Sequence, residues 1–139
     1  MPKSAATRLD RVRPVHPHRW LWEPLENDPT FVLRSMFGAK AIYLGGKLML
    51  CFCADDEPWH GMLVCTDRTR HTALQAEFPE LVAHPILPKW LYLAEKMESF
   101  ERRAARLVEL ARQRDSRIGV TPQPRKRRVT TGPGRRSKP

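Results

Sequence analysis

Cysteine side chains near the middle of the chain offer the most specific candidate chemistry. Cys51 and Cys53 are two residues apart, Cys65 follows on the next predicted strand, and His60 lies between them. Residues i and i+2 of a strand share a face, and three thiolates with one imidazole can form a tetrahedral zinc site. Zinc ligands more often come as Cys-x2-Cys on a turn, and free cysteine is among the most buried residue types. Core packing is therefore the favoured role, with metal or redox chemistry as alternatives.

An acidic loop offers a second candidate site. Asp55, Asp56 and Glu57 precede His60 and could supply general acid–base groups or Mg²⁺ ligands. A solvated hairpin loop explains these charges equally well, and no nucleophile stands at a recognisable spacing. We therefore predict no catalytic residue, no metal ligand, no cofactor and no enzyme activity.

Basic and aromatic residues could bind nucleic acid. Arg68, Arg70 and His71 begin a predicted helix and could contact phosphate together with its exposed amides, although solvating the helix is their more ordinary role. Trp59 and Trp90 could act as stacking platforms for bases. Trp90 lies inside a predicted strand and is expected in the core, whereas Trp59 lies in a loop and suits either role.

Positive charge is concentrated at the two ends of the chain. The 139 residues carry a formal net charge of +10, yet residues 20–120 hold 13 basic and 14 acidic side chains. Residues 1–19 hold five basic residues and one acidic residue, and residues 121–139 hold seven basic residues and none acidic. Those seven are candidate ligands of nucleic-acid phosphates, with a purely solubilising tail as the alternative. They are Arg125, Lys126, Arg127, Arg128, Arg135, Arg136 and Lys138.

Composition divides the chain into one domain with two arms. We expect a flexible basic arm over residues 1–19, a folded domain over 20–118 and a disordered basic tail over 119–139. From residue 121 onward the tail has one aliphatic side chain, Val129, and so cannot offset the entropy cost of ordering its backbone. The first residues lack the apolar core of a signal peptide, no apolar run approaches the roughly 20 residues of a membrane span, and three cysteines do not make a disulfide framework. We expect a cytoplasmic protein without a membrane partner.

The elements that would position these residues follow the order α-β-β-β-β-α-β-α. A short helix or turn is predicted at 20–27, and two glycines between apolar runs, Gly45 and Gly46, predict a two-residue hairpin turn. The later helix should present one apolar stripe, because its apolar residues recur at helical spacing. The fold class is α+β, a two-layer sandwich with a small antiparallel sheet and helices packed on one face. Strands are predicted over 30–37, 39–44, 47–54, 60–65 and 89–94. One helix is predicted over 68–78 with Thr66 and Asp67 as its N-cap pair, and another runs from its cap Ser99 to about residue 117 with a stripe that comprises Phe100, Ala104, Leu107, Val108 and Ala111.

The predicted hairpin has two apolar faces. A two-residue turn pairs Tyr43 with Leu48 and Ile42 with Met49. An antiparallel sheet covered on one side alternates apolar and polar residues, so something must cover the second face. A homodimer interface is the preferred cover, and the N-terminal segment with Trp20 and Trp22 is the alternative. The two predicted faces are Ala41, Tyr43, Leu48, Leu50 and Phe52 on one side, and Ile42, Leu44, Met49, Cys51 and Cys53 on the other.

Short motifs resemble a known family. Residues 34–38 (Arg-Ser-Met-Phe-Gly), followed by Ala-Ile-Tyr at 41–43 and Gly-Lys-Leu at 46–48, resemble the N-terminal domain of TfoX-type proteins. The stretches at 74–81 and 87–90 are similar to the related MmcQ/YjbR family. The resemblance spans about residues 30–117 and implies a two-layer α+β fold and a bacterial DNA-binding, transcription-regulating module without enzyme activity. The motif positions are Met36, Phe37, Gly38, Gly45, Gly46, Lys47, Lys89 and Trp90.

Three of these motif positions also have a direct physical interpretation. Met36 and Phe37 are expected as core anchors at a strand end, and Gly38 as a bend or bulge. Together, charge and resemblance favour a small regulatory module that binds DNA or RNA through its cationic arms, without strong sequence specificity. A protein-interaction or chaperone-like module is the alternative, followed by a metal-binding protein or an enzyme.

Overall fold

Six strands and three helices make up the part of the chain that the computed structural model describes, residues 16–36 and 38–122. This arrangement confirms the predicted α+β class and adds one two-residue strand. Short 3-10 helices lie at Glu23–Asn27 and Arg68–Arg70. The elements are α1 (Arg19–Trp22), β1 (Val32–Met36), β2 (Ala39–Leu44), β3 (Lys47–Ala54), β4 (His60–Val64), α2 (His71–Glu77), β5 (Val82–Ala83), β6 (Leu91–Ala94) and α3 (Phe100–Arg112).

The strands form one antiparallel sheet in the order β1-β2-β3-β4-β6-β5. The three helices bury their apolar side chains in a single cluster on one face of this sheet, which confirms the predicted two layers. The predicted stripe of α3 is buried in full. We call this group the helix-side cluster; it includes Leu21, Trp22, Ile42, Leu44, Met49, Leu50, Phe52, Leu74, Phe78, Phe100, Leu107 and Ile118.

The hairpin turn forms where it was predicted, but the register beyond it differs. Gly45 and Gly46 have φ of 58° and 81°, a region that glycine enters without steric cost, and Tyr43 pairs with Leu48. Ile42 then pairs with Leu50, not with Met49, because β3 has one extra residue at this point. The predicted pairing of Ile42 with Met49 is therefore wrong, and the extra residue forms a β-bulge.

The bulge exchanges the two faces of β3. A shift of one residue moves every later side chain to the opposite face, since successive residues of a strand point in opposite directions. Leu50 and Phe52 therefore join the helix-side cluster, and Cys51 and Cys53 lie on the second face. The predicted division of these four residues is wrong for that reason. The second-face cluster comprises Ala39, Ala41, Leu48, Cys51, Cys53, Leu63, Cys65 and Tyr92, with Met36, Tyr43, Trp59, Leu87, Trp90, Ala94 and Val120 packed against it.

The second face is covered by loops of the same chain. Leu87 and Trp90 come from the loop between β5 and β6, Trp59 from the loop before β4, and Val120 from the segment after α3. The alternative in which the N-terminal tryptophans cover this face is wrong. Trp22 packs on the helix side, with its ring centroid 5.1 Å from that of Phe52, and Trp20 is 53% exposed. The homodimer stays a prediction, although burial of this face does not require a second copy.

A buried histidine holds the covering loop in place. The Nδ1 atom of His84 accepts hydrogen bonds from the backbone N–H groups of Ile86 and Leu87, at 3.1 and 3.0 Å, and its Nε2 donates to the carbonyl of Pro58 at 2.8 Å. Its backbone N–H donates to the carbonyl of Trp90. These bonds satisfy both ring nitrogens of a fully buried imidazole, as burial of a polar group requires. His84 thus fixes the loop that carries Trp90 over the sheet.

The folded body begins before the predicted boundary at residue 20. His18 is buried, and its Nε2 lies 2.9 Å from Oε1 of Glu95, which also lies 2.7 Å from Nε2 of His60. Nδ1 of His16 accepts a hydrogen bond from the backbone N–H of His18 at 3.0 Å. Burial, with smaller contributions from the charges of His18 and Lys40, lowers the pKa of His16 to about 4.

Several element boundaries differ from the predicted ones, among them those of the last helix and the last strand. The last helix ends at Arg112, five residues before the predicted end at 117, and Arg114 has φ of 60°. The guanidinium of Arg114 reaches Oδ2 of Asp28 at 2.9 Å, which ties the helix end to the loop after α1. The last strand begins at Leu91, two residues after its predicted start.

The predicted arms fall largely outside the described residues. Residues 1–15, Phe37 and residues 123–139 are not described, so the predicted flexibility of the arms stays a prediction there. The predicted start of the disordered tail at residue 119 is wrong, because the backbone N–H groups of Gly119 and Val120 donate to the carbonyls of Cys65 and Leu48. Between residues 16 and 122, leaving out Phe37, no helix combines the length and apolar character that a membrane crossing needs.

Substituting Gly61 by alanine should destabilise the protein by about 3 kcal/mol or more. Gly61 has φ of 153°, and an added Cβ would lie 2.1 Å from the carbonyl oxygen of Leu93 on the neighbouring strand. Gly46→Asn is the matched control, because nothing lies within 4 Å of its added Cβ and asparagine tolerates positive φ. Urea unfolding monitored by circular dichroism measures both; equal midpoints for the two variants would contradict the argument.

Substituting His16 by asparagine should make the free energy of unfolding less dependent on pH between about 6.5 and 4. The folded-state pKa lies below the ordinary value of 6.5, so the unfolded state binds more protons in this window and stability falls as pH decreases. Asparagine keeps an acceptor for the His18 N–H but does not titrate. Urea unfolding at a series of pH values tests this, and parallel curves for the two proteins would contradict it.

Candidate nucleic-acid interface

A groove runs across the second face of the sheet. It consists of two adjoining cavities, of about 670 and 390 Å³, which share Tyr43 and Pro122 in their walls. The larger one is lined mainly by apolar and aromatic side chains, and the smaller one extends it toward β1. We call the two together the sheet groove; its apolar lining includes Met36, Tyr43, Leu48, Leu87, Trp90 and Val120.

Three separate parts of the chain build the walls of the sheet groove. Tyr43 and Leu48 face each other across the hairpin. Val120 pairs with Leu48 through two backbone hydrogen bonds of 2.9 and 3.0 Å, which lays the segment after α3 along β3. Trp90 comes from the loop held by His84, and its backbone N–H donates to the carbonyl of Leu87. The groove therefore depends on tertiary contacts between segments far apart in sequence.

Three cations stand around the sheet groove without a carboxylate partner among the described residues. Arg34 is in register with Ala41 and so lies on the second face, with its guanidinium carbon 5.7 Å from the ring centroid of Tyr43. Arg68 and Lys89 line the larger cavity. Asp67 also lines it, but its carboxylate lies 3.2 Å from Nε of Arg70, which compensates its charge.

The helix layer contrasts with this face, because the arginines of α3 and of the segment just after it, except the exposed Arg102, are paired with carboxylates. The pairs join α3, or the segment just after it, to acidic residues of the same layer at N···O distances of 2.5 to 3.5 Å. The uncompensated positive charge of the body is thus found around the groove more than on the helices. The pairs are Arg103–Glu80, Arg106–Glu77, Arg112–Glu109, Arg114–Asp28 and Arg117–Asp115.

Of the three basic residues considered at the start of α2, two hold neighbouring segments together. The guanidinium of Arg70 donates to the carbonyls of Ser116 and Gly119, at 2.7 and 2.9 Å. Nε2 of His71 lies 2.8 Å from the carbonyl of Lys89. Arg68 has no such contact among the described residues and remains available at the groove.

The three cysteines behave as small apolar residues. All are buried, and Sγ of Cys51 lies 3.9 Å from Sγ of Cys65. Burial raises the pKa of Cys53 to about 12 and that of Cys65 well above its ordinary value, so these two thiols are protonated at neutral pH. Zinc binds thiolates, and His60 is directed to Glu95 on the helix side, away from the cysteines. No group of three or more His, Cys, Asp or Glu within 16–36 and 38–122 is placed to hold a metal ion.

The acidic loop and Trp59 serve the local structure. The Tyr92 hydroxyl donates to Oε1 of Glu57 at 2.9 Å and accepts from the backbone N–H of His60. Asp55 and Asp56 are exposed and line neither cavity of the groove. Trp59 packs on the imidazole of His84 at 4.4 Å, so it supports the covering loop.

The motif positions divide between the hairpin turns and the groove. Gly38 has φ of 74° in the connection between β1 and β2, and Lys47 is exposed at the start of β3. Met36, Lys89 and Trp90 line the groove; Trp90 precedes β6 and is half-buried, so its predicted place within a core strand is wrong. Phe37 and the seven basic tail residues lie outside the described residues.

Sequence reasoning missed four residues that define this site. Arg34 and Tyr43 meet only when β1 pairs with β2. The signal available in the sequence was that Arg34 lies two residues from both Val32 and Met36, so the three share one face of the strand. His84 and Val120 carry no clear local signal, since Pro58, which accepts from the His84 ring, and Leu48, which pairs with Val120, lie 26 and 72 residues away in sequence.

Comparisons with known proteins do not identify a family. No protein-family model matches the chain, and no match was found among curated proteins or solved structures. The resemblance to TfoX-type and YjbR-type proteins stays a prediction, and the function has to be inferred from the site itself.

A thiol reagent such as DTNB should label none of the three cysteines in the folded protein and all three in urea. Burial excludes the reagent, and the raised pKa values remove the reactive thiolate. Absorbance after mixing at pH 8 measures the labelled fraction. Labelling in buffer at the rate seen in urea would contradict the core-packing role.

Proposed function

We propose that the protein binds nucleic acid without strong sequence specificity, through the sheet groove and the basic tail together. The main observation is that three cations surround the groove, Arg34, Arg68 and Lys89, and that none of them is paired with a carboxylate among the described residues. The chain leaves this groove at Pro122 and continues into its basic tail. Phosphate contacts of this kind supply affinity and little base recognition.

Covalent geometry supports joint action of groove and tail. Arg125 follows Pro122 by three residues, so its Cα can lie no farther than about 11 Å from that of Pro122. The block from Arg125 to Arg128 is therefore within reach of a polyanion that lies on the groove. Seven basic residues and no acidic one in 121–139 add to the positive field of this face.

A protein-binding role is the second candidate, and one observation favours it. Ile86, which lines the larger cavity of the groove, is 59% exposed, and Val32, which lines the smaller one, is 41% exposed. Apolar surface next to a groove is typical of protein-interaction sites. Binding of this kind would persist at high salt, whereas phosphate-driven binding would not.

Salt-titrated binding of the full chain to a fluorescent DNA duplex tests the proposal. If all seven tail cations engage phosphates, they contribute roughly −6 to the slope of log K against log salt concentration. Changing the seven tail residues to glutamine should remove that contribution. The double variant R68A/K89A should reduce the slope by about a further 1 to 2.

The matched control is R102A/K96A, which removes the same charge from the helix side. Both residues are exposed and have no carboxylate partner among the described residues, and Arg102 lines a different cavity. This control should leave the slope close to that of the unchanged protein. Equal losses for the two double variants, or no salt-sensitive binding at all, would overturn the proposal.

A further inference from the structure

We infer that the sheet groove selects single-stranded nucleic acid by stacking unpaired bases on Tyr43 and Trp90, an inference that rests on the proposed function. Both side chains pack against the second-face cluster and also line the larger cavity, so each is supported by the core and borders the groove. Bases of any sequence offer a π face to such rings.

Apolar and charged groups occupy different places in the groove. Its floor consists of Leu48, Leu87 and Val120 together with the two aromatic side chains, and none of these carries a positive charge that would attract a phosphate. The cations lie at the two ends of the groove. Arg34 is at one end, on the edge strand β1, and Arg68, which follows β4, and Lys89, which precedes β6, are at the other. A ligand with apolar flat parts between charged parts fits this pattern.

Size argues against a duplex as the occupant of the floor. The larger cavity, about 670 Å³, lies in the range of pockets that hold a small molecule and has room for individual bases. A duplex stacks its bases inside, and its major groove alone is about 12 Å wide. It could contact the cations at the rim but could not reach the aromatic floor.

An acidic peptide would match the cations but not the rings. The guanidinium of Arg34 lies over the ring of Tyr43, 5.7 Å from its centroid, so a base that approaches this ring meets a guanidinium as well as the aromatic side chain. Guanidinium groups also stack on bases, which adds to the preference for a nucleobase over a carboxylate side chain.

The experiment compares three probes of equal length: a 12-nucleotide oligothymidylate, an abasic strand with the same phosphates, and a duplex. We expect the oligothymidylate to bind the full-length protein about five- to a hundredfold more tightly than the abasic strand, the gain from one stacked base. This preference should survive an increase in salt that weakens all three.

Substitutions assign the preference to the two rings. Tyr43→Leu and Trp90→Leu should each reduce the oligothymidylate-to-abasic ratio, while Tyr43→Phe, which keeps the ring, should restore it. Trp20→Leu is the matched control, since Trp20 is 53% exposed and lies on α1, away from the groove. If Trp90→Leu fails to fold by circular dichroism, the Tyr43 pair still decides the matter.

The outcomes separate this inference from the proposed function. Equal affinity for the oligothymidylate, the abasic strand and the duplex, each still salt-sensitive, would overturn base stacking and leave phosphate-driven binding in place. Absence of salt-sensitive binding to all three would overturn both. Equally tight binding of a poly-glutamate of matched charge, lost in R68A/K89A, would identify an acidic protein segment as the ligand and overturn the inference.

Discussion

The central strand β3 is apolar on both of its faces, and both must be removed from water. Helices cover one face, since α1, α2 and α3 all bury their apolar side chains in the helix-side cluster. Loops cover the other, but loops are less regular than helices and do not fill the space above the sheet. The incompletely filled space is the sheet groove, with half-buried aromatic rings exposed in its floor. The candidate site is therefore a consequence of covering one sheet face with irregular structure.

Polar groups make this irregular cover specific. A loop over an apolar face would leave backbone amides without partners, and burying such groups costs free energy. The imidazole of His84 accepts from two of these amides and donates to the carbonyl of Pro58, so one buried side chain ties the two covering loops together. Arg70 plays a similar part at the other end, where its guanidinium holds the carbonyls of Ser116 and Gly119 and thereby places Val120 beside Leu48.

Electrostatics distinguishes the two sides of the molecule more than composition does. The folded region is close to neutral in sum, yet most of its helix-side arginines are neutralised by nearby carboxylates whereas the groove cations are not. Exposed ion pairs of this kind contribute little to stability, but they cancel the field of the helix layer. A polyanion approaching the body would therefore meet attraction mainly on the face where the basic tail begins.

The sequence by itself determined the fold class, the Gly45–Gly46 hairpin and the apolar stripe of α3, because turn residues and helical periodicity are local signals. It also located the concentration of charge in the tail. Only the tertiary structure decided which face each residue of β3 occupies, since the bulge at Met49 exchanges Leu50 and Phe52 with Cys51 and Cys53 without any local mark. The groove depends equally on long-range pairing: Arg34 reaches Tyr43 through the sheet, and Val120 reaches Leu48 across 72 residues. Such contacts arise from the closure of the whole chain around a core, so no short pattern of residues encodes them.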